Sequence, residues 1–253
     1  MNKWSKSVAV ITGANAGCGF GILKKFVNAG ITVVGLDLKA ETIEKFRQEN
    51  SSSKVHPLIS DVTDDTAVEK SFKWVEENLG GVDILVNNAG SGTSRKILDN
   101  EKPMSDLTTA IDLNFTAYVR CARLAFKSME ARNSHGYIIN VNSIAGHSVP
   151  AFYGINYNVY PGTKYAITAT TEIIRQELLQ MNNKKVRVSS VSSGVVKTDI
   201  FKDAGIPEEF VKKVFESPHL SVEDFADTVA YLLSTPYNVS VHEMIVRATG
   251  SGL

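Results

Sequence analysis

Short, continuous runs of apolar and β-branched residues recur along the whole chain, and they predict strands. The runs cover residues 8–11, 32–36, 55–59, 82–86, 137–141, 186–191 and 244–246. Because polar residues do not alternate within them, the strands are expected to be buried on both faces, as in a parallel sheet covered by helices.

Helical patterns fill the gaps between these runs. After Asp64 and Asp65, apolar residues recur every three or four positions until Gly80 ends the pattern. Ser221 and Asp224 have the spacing of a capping box at the start of another helix. Strands that alternate with helices predict an α/β fold, namely a Rossmann-type, doubly wound, mostly parallel seven-stranded sheet with helices on both faces. We expect a single domain over residues 1–253.

Composition narrows the class of protein. Hydrophobic residues make up 43% of the chain, enough for a packed core, and the formal net charge of zero argues against nucleic acid as the main partner. The N-terminus has no signal-peptide pattern, and no apolar run has the length of a membrane span. The two cysteines lack CxxC spacing and favour a reducing compartment, so the cytoplasm is the expected location. No cluster has metal-ligand spacing, so no metal is expected.

A glycine-rich turn follows the first predicted strand. Its candidate cofactor-binding residues are Gly13, Asn15, Gly17, Cys18 and Gly19. Glycines allow a tight turn and let the backbone approach a pyrophosphate, while the helix over about 20–28 would point its free N–H groups at the phosphates. The alternative is a plain tight turn, but the position between a strand and a helix favours dinucleotide binding.

Asp37 ends the second predicted strand. A carboxylate there can accept hydrogen bonds from the adenosine ribose and would repel the 2′-phosphate of NADP, which predicts NAD as the cofactor. Lys39, two residues on, would partly offset that repulsion, so NADP stays open as an alternative. Asp37 read alone could also be an ordinary loop aspartate.

Tyr160 and Lys164 are four residues apart, so on a helix they would share a face. A positive charge near a phenol lowers its pKa, and a phenol with a pKa near neutral can act as a general acid or base. Ser143 ends a predicted strand, where its hydroxyl could hydrogen-bond the reacting oxygen. Read singly, these residues could be a packed tyrosine and a serine that closes a strand.

Together the motifs resemble the short-chain dehydrogenase/reductase family, over essentially the whole chain. In the family's order, the matching pieces are residues 12–19, Asp61-Val62, Asn87-Asn88-Ala89-Gly90, Leu113-Asn114, Ser143, the Tyr160/Lys164 pair and residues 193–198. A longer stretch between Ser143 and Tyr160, with Phe152, Tyr153, Asn156, Tyr157 and Asn158, resembles the branch of farnesol dehydrogenase-like proteins and cytosolic carbonyl reductases.

The resemblance implies roles for these residues. Asp61 would bind the adenine amino group beside the Val62 backbone, Asn88 would line the ribose region, and Val196 and Thr198 would bind the carboxamide. Tyr160 would exchange the proton with the substrate and would also contact the cofactor. Lys164 would also bind the nicotinamide ribose, and Asn114 would hold a helix irregularity and a water that links Lys164 to solvent. The resemblance further implies a homodimer or homotetramer through helices near 108–127 and 164–179.

Besides the longer stretch between Ser143 and Tyr160, two departures from the family pattern bear on function. Ser193 replaces the family's usual proline, and Cys18 replaces its usual isoleucine, either as a packing residue or as a redox sensor. Relatives in the resembling branch often use NADP, whereas Asp37 argues for NAD.

Residues 200–216 contain several large apolar side chains and predict a mobile helical lid over the substrate. Residues 91–97 and 147–157 would form the opposite wall. Apolar and aromatic walls indicate a lipophilic alcohol or its carbonyl product, although the aromatic side chains could also simply pack the lid.

The sequence is therefore compatible with three functions. The first is an NAD-dependent dehydrogenase acting on a lipophilic alcohol or its aldehyde or ketone. The second is an NADP-dependent carbonyl reductase of the same fold. The third, from a different class, is a catalytically silent nucleotide-sensing protein, against which the intact Asn114, Ser143, Tyr160 and Lys164 argue.

Overall fold

The computed structural model describes residues 1–50, 54–92, 94–149 and 157–252. One seven-stranded sheet forms the centre of the fold, with strand order β3-β2-β1-β4-β5-β6-β7 and every neighbouring pair parallel. The strands are β1 (Val8–Thr12), β2 (Thr32–Asp37), β3 (Val55–Ile59), β4 (Ile84–Asn87), β5 (Gly136–Ser143), β6 (Val186–Ser193) and β7 (Glu243–Val246). The predicted α/β, doubly wound fold is confirmed.

The fourth strand begins later than predicted. Val82 is buried as its apolar character requires, but its N–H bonds the Ser128 hydroxyl (3.0 Å) instead of the ladder, which starts at Ile84. β5 ends at Ser143, as predicted, whereas β6 extends further than predicted, to Ser193, which pairs in register with Ser143. This extension brings the two polar strand ends side by side.

Helices connect the strands and cover both faces of the sheet. They are α1 (Gly17–Asn28), α2 (Glu41–Glu49), α3 (Asp65–Leu79), α4 (Ser105–Ile111), α5 (Ala117–Ala131), α6 (Tyr160–Gln180), α7 (Ile200–Asp203), α8 (Glu208–Glu216) and α9 (Val222–Ser234). Apolar residues of α1 and α9 pack against one face, and those of α3 and α5 pack against the other. No helix within the described ranges has the length and apolar character needed to cross a membrane.

The helix boundaries follow local side-chain chemistry. Asp64 caps α3 by accepting a hydrogen bond from the Ala67 N–H (3.1 Å), and Gly80 ends the helix in the left-handed conformation (φ 81°). Ser221 and Asp224 form the predicted capping box at the start of α9. These predicted ends are confirmed.

The strand order places a crevice at the centre of the sheet. β1 lies between β2 and β4, so the chain winds outward in opposite directions from this point. Because all the strands are parallel, their carboxyl ends and the loops that follow lie along one edge. In open α/β sheets the crevice at such a reversal is where ligands bind.

Candidate active site

A cavity of about 860 Å³ opens at the carboxyl ends of the strands. One end is lined by Asp37, Leu38 and Val62, and the other by Ser143 and Tyr160. Its volume lies within the range of about 300–1,000 Å³ that is typical of small-molecule and cofactor sites. The cavity therefore brings residues from both halves of the sheet to a single site.

The glycine-rich turn lines the end of the cavity that contains Asp37, Leu38 and Val62, which is called the nucleotide end after its predicted ligand. Gly13 has φ +64°, and a Cβ there would lie 2.8 Å from the Ala89 Cα, so a larger residue would displace the backbone of the neighbouring loop. The first turn of α1 faces the cavity at Gly17 and Cys18, and no described side chain caps it. Uncapped N–H groups at a helix N-terminus suit an anionic group, so the turn fits a pyrophosphate.

Three predicted cofactor residues make structural contacts within the glycine-rich turn or between it and neighbouring elements. The Asn15 Oδ1 accepts hydrogen bonds from the backbone N–H groups of Thr42 (2.9 Å) and Ile43 (3.2 Å), so Asn15 caps α2 from another element. Gly19 is buried, and a Cβ there would lie 2.1 Å from the Gly13 carbonyl oxygen. The Asn88 amide donates to the carbonyls of Thr12 (2.9 Å) and Gly13 (3.0 Å). Asn88 also lines the cavity, whereas Asn15 and Gly19 are absent from its described lining.

Asp37 and Asp61 lie at the ends of neighbouring strands in the nucleotide end. The Asp37 carboxylate accepts from the backbone N–H groups of Asn15 (3.0 Å) and Lys39 (3.2 Å), which fixes its orientation at the cavity wall. The Asp61 carboxylate accepts from the Thr63 N–H (2.8 Å) and hydroxyl (2.7 Å). Val62 is buried beside it.

Tyr160 and Ser143 meet at the other end of the cavity. The side chain of Ser143, which ends β5, hydrogen-bonds the Tyr160 phenol at the first residue of α6. Pro161 follows in the first turn, where its missing N–H costs no helical hydrogen bond. The sheet and the helix thus hold a hydroxyl pair at the cavity wall.

We expected Lys164 to lower the pKa of Tyr160, but in the chain alone this pKa is raised. Burial raises the pKa of Tyr160 to about 12, and this outweighs the lowering by the Ser143 hydrogen bond. The Lys164 Nζ lies 5.6 Å from the Tyr160 ring centroid and donates a hydrogen bond to the Val141 carbonyl (3.1 Å). Burial also lowers the pKa of Lys164 to about 8. At neutral pH Tyr160 is therefore a neutral phenol that can donate a proton.

Asn114 lies behind this pair in an irregular segment. Residues Asp112–Thr116 form a π-helical turn between α4 and α5, and the buried Asn114 sits within it. Its side chain accepts from the Ser91 N–H (2.9 Å) and donates to the Ser91 carbonyl (2.8 Å). Asn114 thereby fixes the loop after β4, and its amide is occupied by that loop.

The loop after β6 and the predicted lid both line the cavity. Val196 is buried and pairs with Leu220, while Thr198 lies beside Gly17. The predicted lid, 200–216, consists of α7 and α8, and its residues Ile200, Phe201, Ala204, Ile206 and Val214 line the cavity. On the opposite wall Tyr157 lines the cavity, whereas Thr93 and residues 150–156, with Phe152, Tyr153 and Asn156, lie outside the described residues.

Sequence reasoning missed Tyr118. This tyrosine is buried in α5, its hydroxyl donates to the Val141 carbonyl (3.1 Å), and the Lys164 Nζ lies 5.2 Å from its ring centroid. The signal for it was its position four residues after Asn114, which places both side chains on one helix face. The site therefore holds a second tyrosine beside the lysine.

Comparisons with known proteins agree with this geometry. The family model described as "short chain dehydrogenase" matches residues 7–209. Farnesol dehydrogenase from Aedes aegypti is 36% identical over 255 residues, which cover 99% of each chain. The alcohol dehydrogenase of Thermococcus sibiricus, solved with 5-hydroxy-NADP, has a TM-score of 0.79 and 26% identity over 97% of each chain.

A second solved structure extends the comparison of folds. A short chain dehydrogenase/reductase from Burkholderia phymatum, solved with NAD, has a TM-score of 0.82 and 21% identity. The likeness covers 94% of this chain and 88% of that one. The expected resemblance is confirmed, and the chain belongs to the short-chain dehydrogenase family of oxidoreductases.

Proposed function

We propose that this protein transfers a hydride between NAD(H) and a lipophilic alcohol or its aldehyde or ketone. The observation that carries the proposal is the Ser143–Tyr160 hydrogen bond beside the buried Lys164, at the opposite end of one cavity from Asp37. A hydroxyl pair and a buried cation at one end, and a carboxylate at the other, suit a dinucleotide whose reactive ring lies near Tyr160.

The residues of the cavity fit such a cofactor. When bound, the nicotinamide would accept or supply the hydride. The backbone at Gly13, Gly17 and Cys18 would hold the pyrophosphate, since the first turn of α1 is uncapped there. The proposed contacts of the remaining groups are Asp37 with the adenosine ribose, Asp61 and Val62 with the adenine, Lys164 and Asn88 with the ribose region, and Val196 and Thr198 with the carboxamide.

Tyr160 would exchange the substrate proton. Its phenol is protonated at neutral pH in the chain alone and can give a proton to a carbonyl oxygen. Ser143 would hydrogen-bond the same oxygen as charge develops on it. A positive charge on Lys164 would favour the phenolate after proton transfer, and Asn114 would keep the adjoining helix and loop in place.

The NAD preference rests on the charge around the adenosine ribose. Both Asp37 oxygens are held by backbone N–H groups, so the carboxylate cannot swing away from a 2′-phosphate without losing those bonds. α2, which Asn15 ties to the same turn, has Glu41 and Glu44 in its first turn. The alternative NADP-dependent carbonyl reductase draws support from Lys39 and from the NADP analogue in the Thermococcus enzyme.

The substrate proposal rests on the lid. Phe201, Ile206 and Val214 line the cavity, as does Tyr157 from the predicted opposite wall. Apolar walls on both sides would bury a hydrocarbon chain and exclude water from the reacting carbon. The name of the Aedes relative, farnesol dehydrogenase, points to an alcohol of the same lipophilic class.

Steady-state turnover of a panel of alcohols and carbonyls with both cofactors tests the proposal. We expect long-chain or terpenoid alcohols and their carbonyl products to be turned over with NAD(H) at higher kcat/KM than with NADP(H). Equal or better use of NADPH would replace the first proposal with the alternative reductase. Binding of dinucleotide without turnover of any substrate would favour a nucleotide-sensing protein.

We also propose a homo-oligomer in the cytoplasm. α6 leaves Tyr165 (43% exposed) and Ile173 (51% exposed) on one face eight residues apart, and Ile111 of α4 is exposed near the same region. Light scattering after size exclusion tests the assembly. The unpaired thiols of Cys18 and Cys121 suit a reducing compartment.

A further inference from the structure

Lys164 carries a buried charge that no described carboxylate compensates. The side chain is 4% exposed, and within the described part of the chain its Nζ donates a hydrogen bond only to the Val141 carbonyl. Burying an ammonium without an ionic partner is costly. The proposed function nevertheless needs this lysine charged beside Tyr160, so something else in the site must favour the ammonium.

Two aromatic rings flank the ammonium. The Lys164 Nζ lies 5.2 Å from the Tyr118 ring centroid and 5.6 Å from that of Tyr160. A cation within about 6 Å of an aromatic ring is attracted by the ring's quadrupole, and the attraction grows when water is excluded. Tyr160 is already assigned to proton exchange, which leaves the Tyr118 ring as a second, independent partner.

Tyr118 also shares the acceptor that Lys164 uses. Its hydroxyl and the Lys164 Nζ each donate to the Val141 carbonyl at 3.1 Å, and a carbonyl oxygen has two lone pairs. The Tyr118 hydroxyl is therefore anchored on the sheet, and this bond fixes the ring in the orientation in which it faces the ammonium. Burial raises the pKa of Tyr118, so this phenol stays neutral and donates.

We infer that Tyr118 is a positioning residue that holds Lys164 in its charged, productive place through its ring face and the shared Val141 carbonyl. This inference rests on the proposed function, since the lysine charge matters to proton exchange at Tyr160. Among the described residues, the titratable groups that face the ammonium are Tyr118 of α5 and Tyr160 of α6. The thiols of Cys121 and Cys18 act electrostatically on Tyr118. Both cysteines have a pKa raised by burial to about 12, so they are neutral thiols over the useful pH range.

The test follows Lys164 directly by NMR of the full chain labelled with ε-¹³C-lysine. The Lys164 signal is identified by its loss in Lys164→Met. Tyr118→Met removes the ring but fills its space, and we expect the Lys164 titration midpoint to fall by about 0.5 to 1 pH unit. Tyr118→Phe keeps the ring and should restore at least half of that shift.

Tyr137 offers a matched control. It is another fully buried tyrosine whose hydroxyl is hydrogen-bonded, to Ser189 at 2.7 Å, and whose ring faces a cation, Arg187. Tyr137→Met should lower the melting temperature by a similar amount and leave the Lys164 midpoint in place. A general loosening of the core would move the midpoint in both variants.

Two results would overturn the inference. The first is an unchanged Lys164 titration midpoint in Tyr118→Met. The second is a shift of the midpoint in Tyr118→Phe that equals the shift in Tyr118→Met. Either result would show that the Tyr118 ring does not stabilise the ammonium. If Tyr118→Met does not fold, Tyr118→Phe is measured alone. A fall of its Lys164 titration midpoint by half a pH unit or more would then overturn the inference, and a smaller fall would support the role of the ring. Because the NMR titration needs no substrate, a failure to find any turnover bears on the proposed function and leaves this result intact.

Discussion

The two ends of the cavity are built in different ways. At the nucleotide end, polar side chains bind backbone: Asn15 caps α2, Asn88 donates to two carbonyls of the glycine-rich turn, and Asp37 accepts from two N–H groups. At the reaction end, Ser143 and Tyr160 hydrogen-bond each other, and the buried Lys164 has a single carbonyl acceptor among the described residues.

The nucleotide end is therefore a preformed binding surface, whereas the reaction end is a group of side chains whose charged forms are destabilised by burial. Backbone partners satisfy the nucleotide end whether or not a ligand is bound. Burial instead disfavours charge at the reaction end, raising the pKa of Tyr160 to about 12 and lowering that of Lys164 to about 8. Substitutions at the reaction end should therefore reduce chemistry while sparing stability, whereas those at the nucleotide end should change binding selectivity.

The largest expected effect tests the reaction end. Tyr160→Phe removes the proton-exchanging hydroxyl and should lower kcat by about 10²-fold or more. The cofactor Kd, measured by fluorescence titration, should stay within a few-fold because the nucleotide end is untouched. Tyr231→Phe, which alters a 55% exposed tyrosine of α9, is the control and should keep full turnover. Unchanged turnover in Tyr160→Phe would rule out this mechanism.

A second prediction concerns stability and its pH dependence. Burial lowers the pKa of Lys164 to about 8, while an unfolded lysine titrates near 10.5. At pH values below about 8 the buried lysine is charged, and this burial destabilises the folded state. Lys164→Met should therefore raise the free energy of unfolding at pH 7 by about 2 kcal/mol while lowering turnover.

The stabilisation expected from Lys164→Met should depend on pH, in a direction that follows from the two pKa values of Lys164. Between the two pKa values the unfolded state binds more protons than the folded state, so the stability of the unsubstituted protein rises with pH. The advantage of Lys164→Met should consequently shrink as pH increases from about 8 to 10.5. Denaturant unfolding at several pH values measures it, with the exposed Lys184→Met as control. A variant less stable than the original at pH 7 would contradict the assigned burial cost.

The nucleotide end was the easier part to predict from sequence. Glycines and strand-terminal carboxylates act through local backbone geometry, so the turn after β1 and the ends of β2 and β3 follow from order along the chain. The fold was predictable for the same reason, since apolar runs and caps such as Ser221–Asp224 are local signals. The late start of β4 was not, because the bond between Val82 and Ser128 joins residues far apart in sequence.

The reaction end depends on contacts that spacing does not reveal. The i, i+4 rule placed Tyr160 and Lys164 on one helix, yet whether the ammonium faces the phenol or the Val141 carbonyl depends on β5 and α5. Tyr118 was missed because its partners, Val141 and Lys164, come from two other elements. The balance between burial and charge also requires three-dimensional packing, so the pKa of Tyr160 was expected to move in the wrong direction.

The smallest predicted effect tests the nucleotide end. Asp37→Asn keeps the shape of the side chain and an oxygen that can accept from the Asn15 N–H, but it removes the negative charge. Repulsion of a 2′-phosphate should fall, and the ratio of kcat/KM for NAD to that for NADP should drop by about 10-fold, equivalent to about 1.4 kcal/mol. Turnover at saturating NAD should change little, because Tyr160 and Ser143 lie at the far end of the cavity.

Asp61→Asn is the matched control for this prediction. Asp61 lies two residues after β3 at the nucleotide end and is held by Thr63, but its proposed partner is the adenine, which both cofactors share. Its substitution should weaken both cofactors equally and leave their ratio in place. If Asp37→Asn also left the ratio unchanged, the carboxylate would not select the cofactor, and Lys39 on the neighbouring loop would be the next residue to substitute. A ratio that moves only in Asp37→Asn would show that this end of the cavity discriminates by charge at one position, independently of the chemistry at the other end.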